Sequence, residues 1–124
     1  MAGELILIVE DNEKNRRLVR DVLQFKGYET IETETGEEGV ELARTRQPAL
    51  VLMDIQLPGI DGIMALKRLR EDPATRAIRV MAVTASAMTQ DRQNILAAGF
   101  DGYQSKPINV KSFLEAVDTL LRRP

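Results

Sequence analysis

The 124-residue sequence contains neither cysteine nor histidine. Without cysteine there is no disulfide, no thiolate nucleophile and no cysteine-ligated zinc. Without histidine there is no imidazole triad, no imidazole metal ligand and no phosphohistidine on this chain. Chemistry that passes through imidazole must borrow it from a partner. Tryptophan is also absent and aromatic residues make up only 4 %, too few to sandwich a flavin. Neither sign of charge is in excess, because 17 Lys and Arg against 19 Asp and Glu leave −2. That balance argues against nucleic acid as a direct ligand. No apolar run approaches the roughly 20 residues of a membrane span, and the N-terminus lacks the basic and apolar regions of a signal peptide. A cytoplasmic protein without membrane contact is expected.

What is present suits one ordinary globular domain filling residues 1–124, with 44 % hydrophobic and 29 % charged residues. Five short apolar runs recur, at 5–9, 28–33, 49–53, 78–83 and 101–104. The first, third and fourth are nearly continuous Ile, Leu, Val, Met and Ala, as strands covered on both faces should be. The second and fifth are more polar and suit positions nearer a sheet edge. Helical stripes separate them: Leu18, Val19, Val22 and Leu23; Val40 and Ala43; Met64, Ala65 and Leu69; Ile95, Leu96 and Ala98, with Gly99 as a stop. The last stripe is the clearest, with Val110, Phe113, Leu114, Val117, Leu120 and Leu121 behind Asn109 as N-cap. Five β-α repeats predict an α/β fold, doubly wound: a five-stranded parallel sheet with right-handed crossovers, flanked by five helices.

Ligands of such sheets bind beyond the carboxyl ends of the strands. Glu10 and Asp11 follow the first strand, Asp54 ends the third, Thr84 the fourth, and Lys106 with Pro107 lies just past the fifth. Taken alone, each has a simpler role. Glu10, Asp11 and Asn12 can cap a helix, Thr84 can be a buried strand threonine, and Lys106 can be a solvated lysine. Asp61 and Gly62 do no more than open a helix. The joint pattern is harder to dismiss. Three converging carboxylates repel one another, and a hard divalent cation, Mg²⁺ among oxygen ligands, resolves the conflict. Asp54 can then present an oxygen as nucleophile, while Lys106 and Thr84 meet charge on a transferred group.

Four motifs carry a resemblance: Ile-Val-Glu-Asp-Asn at 8–12, Leu-Met-Asp-Ile-Gln-Leu-Pro-Gly-Ile-Asp-Gly at 52–62, Val-Thr-Ala at 83–85 and Tyr-Gln-Ser-Lys-Pro at 103–107. Over essentially the whole chain these resemble the receiver domains of two-component response regulators, of the chemotaxis-regulator type. The resemblance implies a flavodoxin-like strand order 2-1-3-4-5. It implies that Asp54 is the phosphoacceptor and that Mg²⁺ is held by Glu10, Asp11, Asp54 and the backbone carbonyl of Gln56. Thr84 and Lys106 would contact the phosphoryl group, and Thr84 and Tyr103 would act as the switch pair. Pro107 would follow a cis peptide, and Gln56 and Ser86 would tune dephosphorylation. The acidic pair is Glu-Asp where the family more usually has Asp-Asp, a mild departure.

The implied partners are a sensor histidine kinase or histidine phosphotransfer protein, docking near the basic cluster Lys14, Arg16, Arg17 and Arg20, and a downstream protein. The latter would meet the face formed by the fourth helix, fifth strand and fifth helix. The domain would be a monomer or a phosphorylation-linked dimer, and a signalling domain rather than an enzyme. Single-domain cell-division regulators of the DivK type and hybrid-kinase receivers look most similar. With only Arg122, Arg123 and Pro124 after the fifth helix, a stand-alone receiver or a piece of a larger regulator acting as a scaffold is expected. A haloacid-dehalogenase-type phosphatase is the enzyme alternative. It needs a second Asp two residues after the nucleophile, where this chain has Gln56.

Overall fold

The computed structural model describes residues 3–85 and 89–122. The chain alternates β1 (Leu5–Val9), α1 (Glu13–Phe25), β2 (Glu29–Thr33), α2 (Gly36–Arg46), β3 (Leu50–Asp54), α3 (Gly62–Glu71), β4 (Arg79–Thr84), α4 (Thr89–Ala97), β5 (Gly102–Ser105) and α5 (Val110–Arg122). The strands form one parallel sheet in the order β2-β1-β3-β4-β5. The two polar strands, β2 and β5, are the edges. Among the described residues no helix is long and apolar enough to cross a membrane.

Strand alternation divides the core in two. Ile6, Ile8, Leu50, Leu52, Met81 and Val83 face α1 and α5, where they meet Val19, Leu23, Phe113 and Val117. Leu7, Val9, Val51, Met53, Val80 and Ala82 point the other way, against Ala43 of α2, Ala65 and Leu69 of α3 and Ile95 of α4. Three strands therefore read as continuous apolar runs because both of their faces are buried.

Asp54 and Thr84 end the third and fourth strands as expected, with Asp54 opposite Val83 and Thr84 opposite Ser105. Two details differ from the sequence reading. The fifth strand lies one residue later than the run at 101–104, because its pairing with β4 runs from Gly102 opposite Met81 to Ser105 opposite Thr84. The helical stripes are narrower than expected. Leu18, Met64, Leu96 and Val110 stand in solvent while Val19, Ala65, Ile95 and Phe113 are buried. Adjacent helix residues lie about 100° apart, so one of each neighbouring pair in α1, α3 and α4 turns away from the sheet; Val110 is the first residue of α5.

Side chains close the helix starts: Asn12, Thr35, Asp61 and Asn109 accept from the N–H groups of Asn15, Glu38, Met64 and Ser112. Asn12 thus caps α1 itself, leaving the Glu10 and Asp11 carboxylates for other work. Gly62 does more than open α3. A Cβ there would sit 2.3 Å from the Asp54 carbonyl oxygen and 2.8 Å from the Ile55 Cα, so α3 begins in direct contact with the end of β3. Gly62→Ala is expected to cost about 1–3 kcal/mol or more, since the obstacle is backbone that cannot swing aside. A lowered urea midpoint at unchanged slope checks it.

Candidate metal and phosphoacceptor site

Four chain segments supply the site. After β1 the Glu10 N–H donates to the Thr33 carbonyl of neighbouring β2 at 3.0 Å, which holds the turn on the sheet edge. Glu10 is buried, and Asp11, at the bend that follows, is exposed. Asp54, the last residue of β3, is only 4 % exposed, and its Oδ1 accepts from the Gln56 N–H at 3.2 Å. One oxygen from each of Glu10, Asp11 and Asp54 lies within 4.8 Å of the others.

Lys106 reaches in from beyond β5. Its Nζ stands 2.8 Å from Glu10 Oε1 and 3.0 Å from Asp54 Oδ2. Its N–H donates to the Thr84 carbonyl at 2.8 Å, which fixes the base of the side chain. The Lys106–Pro107 peptide is cis. Glu10 Oε2 accepts from the Asn12 N–H at 3.1 Å, so the residue that caps α1 also holds the buried carboxylate.

One ammonium among three carboxylates leaves the cluster net negative. Burial pushes the Glu10 carboxyl up from 4.5 to about 7; the Lys106 hydrogen bond opposes this and the neighbouring Asp54 adds to it. Burial works against the Lys106 ammonium as well, yet the Glu10 and Asp54 carboxylates outweigh it and raise its pKa. Lys106 therefore stays charged, and Glu10 is the group that gives way.

This donor set fits a hard divalent cation. Three carboxylates on three residues, in a chain without imidazole or thiolate, favour Mg²⁺ over softer metals. A cation there would displace the proton that Glu10 otherwise takes up near neutrality. Mg²⁺ affinity is therefore expected to rise about tenfold per pH unit below pH 7 and to level off above it; calorimetric titration between about pH 5.5 and about pH 8 measures the slope. Stability of the metal-free protein runs the other way. A carboxyl whose folded pKa lies above its unfolded value contributes fully below 4.5, and that contribution is lost as pH rises through 7.

The remaining residues singled out in the sequence are distributed around this cluster. Thr84 is buried at the end of β4, one step beyond the residue opposite Asp54. Tyr103, opposite Ala82 on the edge strand, is half-buried against the second core, with the Arg92 guanidinium of α4 5.6 Å from its ring centre. Gln56 is exposed in the loop after β3. Ser86 lies outside the described residues.

The basic cluster on α1 is largely neutralised. Arg17 pairs with Glu13 at 2.8 Å, and Arg20 with Asp21 at 3.1 Å and Glu32 at 3.6 Å. Arg16 does something the sequence did not reveal. Its Nη1 donates to the Glu10 carbonyl at 3.0 Å while its Nε lies 3.3 Å from Glu32 Oε1. A half-buried guanidinium thus ties the acidic turn to β2, and the available signal was an arginine one turn into the helix that opens at the site. A second tie holds the loop after β3, where the Ile60 N–H donates to Glu37 Oε2 of α2 at 3.4 Å. A Cβ on Gly59 (φ +74°) would lie 2.6 Å from that same oxygen.

This arrangement of sheet, acidic cluster and lysine recurs in known proteins. The family model for the response regulator receiver domain matches residues 6–118. The polar-differentiation response regulators DivK of Brucella ovis and Brucella abortus are each 47 % identical over 116 residues, spanning 94 % of this chain and 94 % of theirs. The receiver domain of sensor histidine kinase PA1611 from Pseudomonas aeruginosa, solved with magnesium coordinated in its active-site cleft, is 31 % identical. It superposes with a TM-score of 0.91 over 98 % of this chain and all of its own. A CheY-like receiver domain from Methanospirillum hungatei is 30 % identical, with a TM-score of 0.84 over 97 % and 94 % of the two chains. With the fold, the strand-end carboxylates and these matches in agreement, the chain belongs to the response regulator receiver domain family of two-component signalling.

Proposed function

We propose that residues 1–124 form one receiver domain in which Asp54 accepts a phosphoryl group from a phosphohistidine on a sensor histidine kinase or phosphotransfer protein. The observation that carries this reading is the Lys106 ammonium shared between Glu10 and Asp54, at 2.8 and 3.0 Å, beside the exposed Asp11. An Asp54 oxygen forms the new bond to phosphorus as the donor's N–P bond breaks. The electron pair of that bond stays on the imidazole nitrogen, which takes a proton. With no histidine in this chain, the phosphohistidine has to be carried by the partner.

Glu10, Asp11, Asp54 and the Gln56 carbonyl would hold Mg²⁺, which when bound neutralises charge on the phosphoryl oxygens. Lys106 is already placed on the reacting carboxylate and turns to the incoming oxygens, and the Thr84 hydroxyl donates to them from the adjoining strand end. Phosphorylation adds about −1.5 to −2 of charge at Asp54. Thr84 then moves toward it and Tyr103 turns into the space vacated, which reshapes the face made by α4, β5 and α5 for a downstream protein. Gln56 and Ser86, two residues beyond Asp54 and Thr84, set how readily water reaches the acyl phosphate. The chain acts as a cytoplasmic signalling domain like its DivK relatives, its own chemistry being phosphoryl uptake and slow hydrolysis.

Intact-mass analysis with acetyl phosphate tests this. A phosphoryl adduct that forms with Mg²⁺ and not with a chelator is expected. No adduct from acetyl phosphate or from a phosphorylated kinase domain, under any condition, would overturn the assignment.

A further inference from the structure

Phe25, the last residue of α1, is 89 % exposed, the most exposed of the large apolar side chains among the described residues. It borders a groove of about 410 Å³ between α1 and α5, lined by Asp21, Val22, Phe25, Lys26, Val110 and Leu114. Four of the six are apolar and the other two carry opposite charges. None of the groove's residues belongs to the acidic cluster or pairs with Lys106.

We propose that a second copy of the chain covers it, the two α1 helices packing antiparallel across a two-fold axis. In a two-fold interface each patch must complement itself. Antiparallel helices have one register that sets Phe25 against Val22 of the second copy, because each step forward on one helix is a step back on the other. That same register sets Asp21 opposite Lys26 of the second copy. One alignment thus satisfies the apolar and the charged pairs together, and the symmetry makes each twice. Asp21 is available for this, since it pairs with adjacent Arg20 at the surface, a contact of little worth. A foreign helix would have to supply its own matching charges to a face that is neutral in sum.

The dimer is expected to be weak. Each Phe ring contributes about 150–250 Å², and with Val22, Val110 and Leu114 the total falls short of the roughly 1,600 Å² of a standard interface. Assembly should appear only toward millimolar protein. It leaves the phosphoacceptor free, because α1 begins beside the site and its 13 residues carry Phe25 about 20 Å away.

Sedimentation velocity over a wide concentration range decides it. Wild type should shift toward dimer, and Phe25→Ala should lower the association constant at least about tenfold while taking up phosphoryl groups from acetyl phosphate at the wild-type rate. Asp21→Lys and Lys26→Asp should each weaken assembly, and the double reversal should restore it. A wild-type monomer throughout would overturn the proposal and leave the groove to a helix of another protein. A dimer indifferent to Phe25, or a double reversal that restores nothing, would overturn it by placing the interface on another face or in another register.

Discussion

Asp54→Asn is expected to take up no phosphoryl group from acetyl phosphate at any Mg²⁺ concentration, while remaining folded and at least as stable as wild type without metal. The substitution keeps size and burial and removes the nucleophilic oxygen. It also removes one of two buried carboxylates that share a single ammonium. Asp54 is among the causes that raise Glu10, so its loss lets the Glu10 carboxyl fall back toward the ordinary range and pair with Lys106 alone. The metal-free variant should therefore melt no lower than wild type, and its Mg²⁺ affinity should drop because one of three carboxylates has gone. Intact mass, thermal melting and calorimetry read the three consequences separately. A phosphoryl adduct persisting on this variant would move the acceptor elsewhere, and Glu10 would be the first residue to examine.

The residues proposed to carry this chemistry are legible because a parallel sheet puts all its strand carboxyl ends on one edge. Once five β-α repeats were recognised, Glu10, Asp11, Asp54, Thr84 and Lys106 had to meet there. What the sequence did not show depends on side-chain direction and close approach. Glu10 and Asp11 are neighbours, yet one is buried and the other exposed, and only the turn held by the Thr33 carbonyl decides which. Arg16 was grouped with other basic residues, whereas its long side chain folds back onto the Glu10 carbonyl and Glu32. A flexible cation gives no sign in sequence of which acid it will choose. In sequence Gly62 marks only a helix start, but its contact with Asp54 comes from the path of the intervening loop. Gly39 is similar: a Cβ there would lie 2.8 Å from Val9 Cγ2, so α2 packs on β1 through a missing side chain rather than an apolar one. Periodicity marks what a helix buries and is silent about where it needs nothing.

Lys106→Met should separate two roles that one ammonium performs. Lys106, with 15 % of its side chain exposed, is the cation that pairs with both Glu10 and Asp54. Removing it leaves two buried carboxylates without compensation, which is expected to cost about 3–5 kcal/mol in metal-free protein at neutral pH. The sign with pH follows from Glu10. Lys106 is the larger of the two causes that lower its pKa, the Asn12 N–H being the other, so the variant's carboxyl rises further above its unfolded value. Its contribution is again complete below 4.5 and lost as pH rises through the new, higher folded value. The stability deficit should therefore be largest at alkaline pH and shrink in acid. Mg²⁺ faces the opposite situation. At a pH above the variant's own, higher Glu10 titration, a cation entering it meets the same ionised carboxylates with less positive charge beside them, and should bind more tightly. Phosphoryl uptake should nevertheless slow by about 10²–10³-fold, because the donor that stabilises charge building on the transferred oxygens is gone. Tighter metal with slower chemistry is a combination that neither misfolding nor loss of the metal site produces. Parallel losses in both would instead mean that Lys106 only holds the fold together at this edge.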